Sequence, residues 1–204
     1  MIDGSTLITI PKVQNATDAG EESSDWYFAY GSNMNLRQIG SRCSRPVAVG
    51  VARLPDHRVS FYGHSETWDG AMETVEPSPG DEVWGVMFSL SRLDWERLDD
   101  WQGARMDGGG MYFHFPSIVT GLDGKEYSVR FYRMDVQGDP RSPSREYLEH
   151  IARGARENGL PAMYIEALLK RKANRASYSV PLRANTNLAK FASISCAECP
   201  SGEA

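Results

Sequence analysis

The sequence lacks several features that whole classes of proteins require. No run approaches the roughly 18–20 apolar residues that a membrane-spanning helix needs. The first four residues, 1–4, lack the basic-then-apolar order of a secretion signal. The formal net charge is -5, so there is no broad basic field to attract a phosphate backbone. We therefore expect a cytoplasmic protein that binds neither membranes nor nucleic acid.

Cysteine and histidine are also sparse. The 3 cysteines, Cys43, Cys196 and Cys199, cannot all pair, and a disulfide framework is unusual in a chain of 204 residues. Cys196 and Cys199 form a single C-x-x-C motif, whereas a structural zinc site needs about four ligands. The 4 histidines show no metal-ligand spacing. The sequence therefore predicts reduced thiols and no metal site.

The chain does contain enough apolar residues for one sizeable core. Of its 204 residues, 41% are apolar, and this length is typical of one domain. We expect a polar leader over residues 1–24, a single domain over 25–172 and a C-terminal tail over 173–204. The sequence shows no internal repeat.

Short strand-favouring segments, bounded by Gly, Pro and Asp, alternate with a few amphipathic segments. The predicted strands are 26–30, 47–52, 58–62, 83–90, 111–119 and 127–134. The predicted helices are 91–101, capped by Ser91, and the pair 145–158 and 162–172. Leu93, Leu98 and Trp101 are expected to face inward. This order favours an α+β fold, a small, mainly antiparallel β-barrel with flanking helices.

The first predicted strand is aromatic and ends in a turn whose polar groups are able to bind a ligand. Glycine at Gly31 lets the chain turn and leaves backbone N–H groups uncovered, and Ser32 and Asn33 add a hydroxyl and an amide. Such a loop suits a carboxylate or a developing oxyanion. The same pattern is also typical of an ordinary strand-to-turn junction, so the residues alone leave both interpretations open.

The segment Tyr27-Phe28-Ala29-Tyr30-Gly31-Ser32-Asn33 resembles the signature opening of the gamma-glutamylcyclotransferase family. Further stretches resemble family segments in the family's order: 51–54, 67–70, 80–86, 98–99, 110–112 and 154–161. The resemblance covers about residues 27–172. The resemblance implies a small barrel with helices around it, a small-molecule gamma-glutamyl substrate and the release of 5-oxoproline. It implies no metal or organic cofactor, and it leaves open whether the protein forms a homodimer.

The resemblance also implies a site. In this family the glutamyl α-amine attacks the γ-carbonyl and closes a lactam, after a glutamate base has removed a proton from the α-ammonium. The residues implied to hold the glutamyl part are Tyr27, Phe28, Ala29, Tyr30, Gly31, Ser32 and Asn33. Tyr147 matches a family residue that contacts the substrate, and Tyr112 is a further candidate.

The chain departs from the family pattern at the base. The pattern places the glutamate immediately before a glycine, where this chain has Gln102 before Gly103. A neutral amide cannot take the proton, which should cost about 100- to 10,000-fold in rate. Three explanations of Gln102 stay open. It is an engineered replacement, another carboxylate acts as the base, or the protein has diverged in function. A divergent protein is either a specialised biosynthetic enzyme with altered chemistry or a non-catalytic ligand-binding module.

Glu73 is the main candidate for a replacement base, because it stands where the family usually has a small residue. If residues 71–75 form a strand, Ala71, Glu73 and Val75 share one face. That face points either into the cleft or outward at the rim, and a shift of one residue decides between the two. Lesser candidates on the same argument are Asp69, Asp99 and Asp100.

Overall fold

The computed structural model describes residues 26–105, 107, 109–135 and 138–182. The predicted leader, Cys196, Cys199 and most of the predicted tail lie outside these residues. The strands are β1 (Trp26–Ala29), β2 (Val47–Ser65), β3 (Gly70–Ser89), β4 (Tyr112–Gly121) and β5 (Glu126–Met134). The helices are α1 (Leu36–Arg42), α2 (Arg92–Gln102), α3 (Arg145–Glu157) and α4 (Ala162–Leu169), and a short 3-10 helix spans Ser32–Met34.

The strands close into a barrel in the order β1-β3-β2-β4-β5. All neighbouring pairs are antiparallel except β1 and β5, which run parallel and close the barrel, with Trp26 opposite Val129. The core is apolar and aromatic, and Phe28, Phe88 and Phe131 are fully buried in it. This barrel with helices around it confirms the predicted fold class.

β2 and β3 form a hairpin much longer than the sequence predicts. Segments 47–52 and 58–62 belong to one strand, which is kinked where Asp56 adopts a left-handed conformation with φ 54°. Pro55 pairs with Glu82 and His57 pairs with Pro77, so residues 78–81 loop out of the opposite strand. The Asp56 carboxylate accepts a hydrogen bond from the Gly80 N–H at 2.9 Å. The Pro and Gly that look like a strand end therefore mark a bulge.

Helix α2 begins as predicted, because the Ser91 side chain accepts a hydrogen bond from the Asp94 N–H. Its predicted inward face is wrong for two of three residues. Leu98 is fully buried, but Leu93 and Trp101 are 53% and 58% exposed. Helix α2 is rotated about its axis relative to the prediction, because the Asp94 side of the helix faces inward. The buried Asp94 carboxylate accepts hydrogen bonds from the backbone N–H groups of Ser44 and Arg45, in the segment that follows α1.

Helix α1 is short and was not predicted from the sequence, and Asn35 caps it by accepting a hydrogen bond from the Gln38 N–H. Helix α3 packs directly on its start. A Cβ at Gly154 would lie 2.5 Å from the Asn35 backbone nitrogen, so this close approach requires glycine. Helix α4 ends at Leu169, three residues before the predicted end. Among the described residues, no helix is long and apolar enough to cross a membrane.

Candidate active site

The loop that leaves β1 is buried from Tyr30 to Asn33 and turns into the 3-10 helix. The Met34 N–H donates back to the Gly31 carbonyl at 3.0 Å. The N–H of Ser32 points away from this turn and toward β3. The loop therefore presents a backbone donor to the barrel, as its sequence suggested.

Glu73, on β3, accepts a hydrogen bond from this donor. Its Oε1 accepts a hydrogen bond from the Ser32 N–H at 3.0 Å, and its Oε2 accepts one from the Tyr147 hydroxyl. The side chain is buried, with an exposed fraction of 6%. A Cβ at Gly31 would lie 2.0 Å from Oε1, so the carboxylate occupies the space that a side chain at Gly31 would fill. Of the two strand phases, the structure has the one in which Glu73 faces the loop.

Tyrosines surround this carboxylate. The Tyr112 hydroxyl donates to the Glu73 backbone carbonyl at 2.7 Å, and the Tyr30 hydroxyl donates to the Tyr132 carbonyl at 2.5 Å. Burial, and then the nearby Glu73 charge, raise the pKa of Tyr30, Tyr112 and Tyr147 well above the usual value. These hydroxyls therefore stay protonated and act as donors at neutral pH.

Asn33 is held by a network that involves α1. Its Nδ2 donates to the Tyr27 hydroxyl oxygen at 2.8 Å. Its Oδ1 accepts from Gln38 Nε2 at 3.2 Å and from Arg42 Nη1 at 2.7 Å. Gln38 and Arg42 were missed at the level of sequence because the helix that carries them was not predicted.

The network ends at His150 on α3, whose Nε2 lies 2.9 Å from Gln38 Oε1. Because Gln38 Oε1 is an acceptor, Nε2 carries the proton. Burial, and then the positive charges of Arg153 and Arg42, lower the pKa of His150 to about 4. The ring is therefore neutral at physiological pH and serves as a donor that fixes Gln38.

Phe28 and Ala29 belong to the barrel core. The Phe28 ring packs edge-on to Phe131 at 6.4 Å between centroids, and it also lies against the position where a side chain at Gly85 would project. Ala29 pairs with Val86 in the sheet. These two residues fix the strand that delivers the loop.

Comparisons with known proteins decide the family. A model of the AIG2-like family matches residues 82–168. The gamma-glutamylcyclotransferase of Bos taurus is 39% identical over 146 residues, which is 70% of this chain and 76% of that protein. The Homo sapiens gamma-glutamylcyclotransferase is 38% identical over 152 residues, covering 72% and 79%. A solved structure of a gamma-glutamyl cyclotransferase superposes with a TM-score of 0.71 at 37% identity, covering 76% of this chain and 92% of that one.

The chain belongs to the gamma-glutamylcyclotransferase family. The resemblance noted in the sequence is thereby confirmed. The closed barrel with its flanking helices is the architecture of an enzyme of this family.

Gln102 lies in the last turn of α2 and is half-buried. Its side chain makes no hydrogen bond to any of the residues that the structure describes. The cap that follows, Gly103, has a left-handed conformation with φ 61°. Gln102 is thus placed at a helix end, while Glu73 is fixed by two donors next to the signature loop.

Two of the lesser carboxylate candidates have other partners. Asp69 accepts hydrogen bonds from the N–H and hydroxyl of Ser177 at 2.6 and 2.7 Å. Asp99 accepts one from the Tyr132 hydroxyl at 2.5 Å and lies 2.5 Å from His114 Nε2. Within the described ranges, no three His, Cys, Asp or Glu side chains are grouped to hold a metal ion.

Proposed function

We propose that this protein releases 5-oxoproline from a gamma-glutamyl amine or peptide, with Glu73 as the general base in place of a glutamate at position 102. The supporting observation is the buried Glu73 carboxylate, held against the signature loop by the Ser32 N–H and the Tyr147 hydroxyl. The family relationship supports the reaction class, and the geometry at Glu73 supports the choice of base.

The proposed reaction is intramolecular. The glutamyl α-ammonium, like other α-amino groups, has a pKa of about 8 and must lose a proton before it can attack. A carboxylate accepts this proton, the α-nitrogen forms a bond to the γ-carbon and gives up a second proton, and the amide C–N bond breaks. Both protons end on the leaving nitrogen, which departs as an ammonium, and the carboxyl returns the first of them. Because the nucleophile belongs to the substrate, the protein has to supply little beyond orientation and this proton transfer.

Tyr147 supports Glu73 in this role. Since burial and the Glu73 charge raise the pKa of Tyr147 well above its usual value, the shared proton stays on the tyrosine. The carboxylate is then the basic partner of the pair, and the hydroxyl only orients it. Trp68 packs on the Tyr147 ring at 4.7 Å between centroids and restricts its motion.

The decisive test compares Glu73→Gln with Gln102→Ala in an assay for 5-oxoproline from gamma-glutamyl amines. Glu73→Gln keeps the shape and removes the basic group, so kcat should fall by about 100-fold or more while substrate still binds. Gln102→Ala should change kcat by only a few-fold. Full activity in Glu73→Gln would rule out Glu73 as the base. Thermal unfolding of each variant separates loss of chemistry from loss of fold.

Glu73→Ala provides a second test that does not depend on the amide isostere. Removal of the side chain leaves the Ser32 N–H and the Tyr147 hydroxyl facing the space that the carboxylate filled. Formate should bind there and partly restore turnover to Glu73→Ala, and it should not affect Gln102→Ala. Restoration of turnover by Gln102→Glu in the Glu73→Ala background would show that one carboxylate at either position suffices.

One observation favours a second candidate function, that of a non-catalytic ligand-binding protein. The Glu73 carboxylate takes the loop donor that would otherwise bind an anionic group of a ligand. If Glu73 only blocks the loop, the parent protein should release no 5-oxoproline, and Glu73→Ala should bind gamma-glutamyl ligands more tightly than the parent. The catalytic function predicts instead a parent protein that releases 5-oxoproline and a Glu73→Ala variant that loses this turnover.

A further inference from the structure

Residues 173–182, here called the strap, follow α4 and run from the start of α3 to the turn that joins β2 to β3. The strap is bonded to the first turn of α3 at two points. The Arg145 N–H donates to the Asn174 carbonyl at 2.7 Å, and the Ala176 N–H donates to the Glu146 carboxylate at 3.0 Å. One end of the strap is therefore fixed to the helix that also carries the tyrosine partner of the proposed base.

The other end of the strap holds the turn between β2 and β3, residues 66–69. The Leu182 N–H donates to the Thr67 carbonyl at 2.8 Å, and the Tyr178 hydroxyl donates to the Glu66 carbonyl. Because both donors belong to one continuous segment, the strap fixes the first half of this turn.

The second half of the turn depends on Asp69, whose backbone has a left-handed conformation with φ 49°. Asp and Asn adopt this conformation more readily than most other residues with a side chain. The Asp69 carboxylate accepts the N–H and the hydroxyl of Ser177 at 2.6 and 2.7 Å. The bond from the hydroxyl, and then that from the N–H, lower the pKa of Asp69, so it is an anion at neutral pH. Asp69, a lesser candidate for the base, thus joins the turn to the strap.

Trp68 lies between these bonded turn residues and connects them to the active site. It is 7% exposed, and its ring centroid lies 4.7 Å from that of Tyr147 and 4.7 Å from that of His150. The Tyr147 hydroxyl in turn donates to the Glu73 carboxylate. A displaced turn would withdraw the indole from Tyr147, and the tyrosine would no longer be held at the angle at which its hydroxyl meets the carboxylate.

From this series of contacts we infer that Asp69 and Trp68 are positioning residues. The bonds between Asp69 and Ser177 hold Trp68 against Tyr147, and Tyr147 orients the Glu73 carboxylate. The inference rests on the proposed function, because it concerns the alignment of the same base. It gives the strap a part in turnover, although the strap lies outside the signature loop.

The first test measures kcat and KM for 5-oxoproline release in Asp69→Gly. Glycine keeps the left-handed backbone and removes both bonds to Ser177. Because a small misplacement of a reacting group costs up to about 100-fold in rate, kcat should fall by about 10- to 100-fold while KM changes by less than about two-fold. Asp69→Asn keeps an acceptor oxygen and should recover much of this loss. Ser179→Ala, at an exposed position of the strap, is the matched control and should behave as the parent.

The route through Tyr147 is tested by repeating the substitution in a Tyr147→Phe background. This variant keeps the ring and lacks the hydroxyl that orients Glu73, so Asp69→Gly should cost little further kcat there. Trp68→Leu should behave as Asp69→Gly does in both backgrounds, whereas Trp68→Phe keeps a ring and should retain most of the turnover. Thermal unfolding shows whether each variant is folded at the assay temperature.

Hydrogen exchange supplies a measurement that needs no substrate. Because the Ser32 N–H is bonded to Glu73, its exchange should be about 10-fold faster in Asp69→Gly, with the amides of β1 unchanged. The inference is overturned if Asp69→Gly lowers only the unfolding temperature and leaves kcat and Ser32 exchange at the parent's values. It is also overturned if Asp69→Gly costs as much kcat in Tyr147→Phe as in the parent. If the parent releases no 5-oxoproline, the proposed function fails, and Ser32 exchange alone decides whether the strap positions Glu73.

Discussion

The close contact between Gly31 and Glu73 makes Gly31→Ala an informative perturbation. An alanine Cβ would lie 2.0 Å from Glu73 Oε1, 2.5 Å from its Cγ and 2.6 Å from its Cδ. No real Cβ tolerates such distances, so the Glu73 side chain has to move. Glu73 is flexible enough to do so, but only by leaving the Ser32 N–H and the Tyr147 hydroxyl.

The cost of Gly31→Ala follows from these two bonds. Hydrogen bonds to a charged group contribute about 1.5–3 kcal/mol each, so their combined loss puts the destabilisation at about 3–6 kcal/mol. A domain with a typical unfolding free energy of about 5–15 kcal/mol would then be marginal but still foldable at low temperature. Because the displaced carboxylate no longer faces the loop, turnover should fall at least as far as in Glu73→Gln.

Urea denaturation of Gly31→Ala, Glu73→Ala and the double variant measures this coupling directly. Once Glu73 is truncated, the alanine at position 31 has room, so the double variant should be several kcal/mol more stable than the sum of the single changes predicts. Gly40→Ala is the matched control, since a Cβ there meets nothing within 4 Å. It should be neutral or stabilising, as expected within a helix. Strict additivity of the two changes, or a Gly31→Ala protein as stable as the parent, would refute the argument.

Two further predictions concern α2 and α3. Asp94→Ala removes the acceptor of the Ser44 and Arg45 N–H groups, so it should lower the unfolding free energy by roughly 2–4 kcal/mol while leaving KM unchanged at low temperature. His150 has its pKa lowered to about 4, so the unfolded chain binds a proton more readily. The stability that the neutral ring contributes is therefore complete above about pH 6.5 and is lost as the pH falls towards 4. Since one pKa unit is worth about 1.4 kcal/mol, the loss should reach roughly 2–3 kcal/mol, and denaturation at pH 7 and pH 4.5 should show a smaller difference for His150→Gln. If the difference in unfolding free energy between pH 7 and pH 4.5 were the same in His150→Gln as in the parent protein, the assignment of this pH dependence to His150 would be wrong.

Much of the fold was predictable because the sequence marks it locally. Ser91 caps α2 and accepts the expected backbone hydrogen bond, and Ser144 caps α3 in the same way. The continuous β2–β3 hairpin was not predictable, because its strands contain a bulge in which the Asp56 carboxylate accepts a hydrogen bond from the Gly80 N–H on the opposite strand. This hydrogen bond depends on a register that only the folded sheet defines.

The signature loop was also predictable, since its residues are contiguous. Its partners were not, because they come from distant parts of the chain. Ser32 and Glu73 are 41 residues apart, and Glu73 and Tyr147 are 74 apart. Periodicity could say that Glu73 shares a face with Ala71 and Val75, but which face meets the loop is set by the barrel closure. Arg42 was missed for a different reason, namely that α1 is only 7 residues long and its pattern is weak.

Placing the base on β3 gives one physical account of two departures from the family pattern. A carboxylate at Glu73 is held by a barrel strand and by two donors, whereas position 102 lies at the end of a helix, next to the left-handed Gly103. Groups on rigid elements are positioned more accurately than groups at element ends. If Glu73 is the base, as proposed above, a carboxylate at position 102 is not required, and a neutral Gln102 is compatible with turnover. The same placement favours glycine at position 31, because a side chain there would meet the Glu73 side chain.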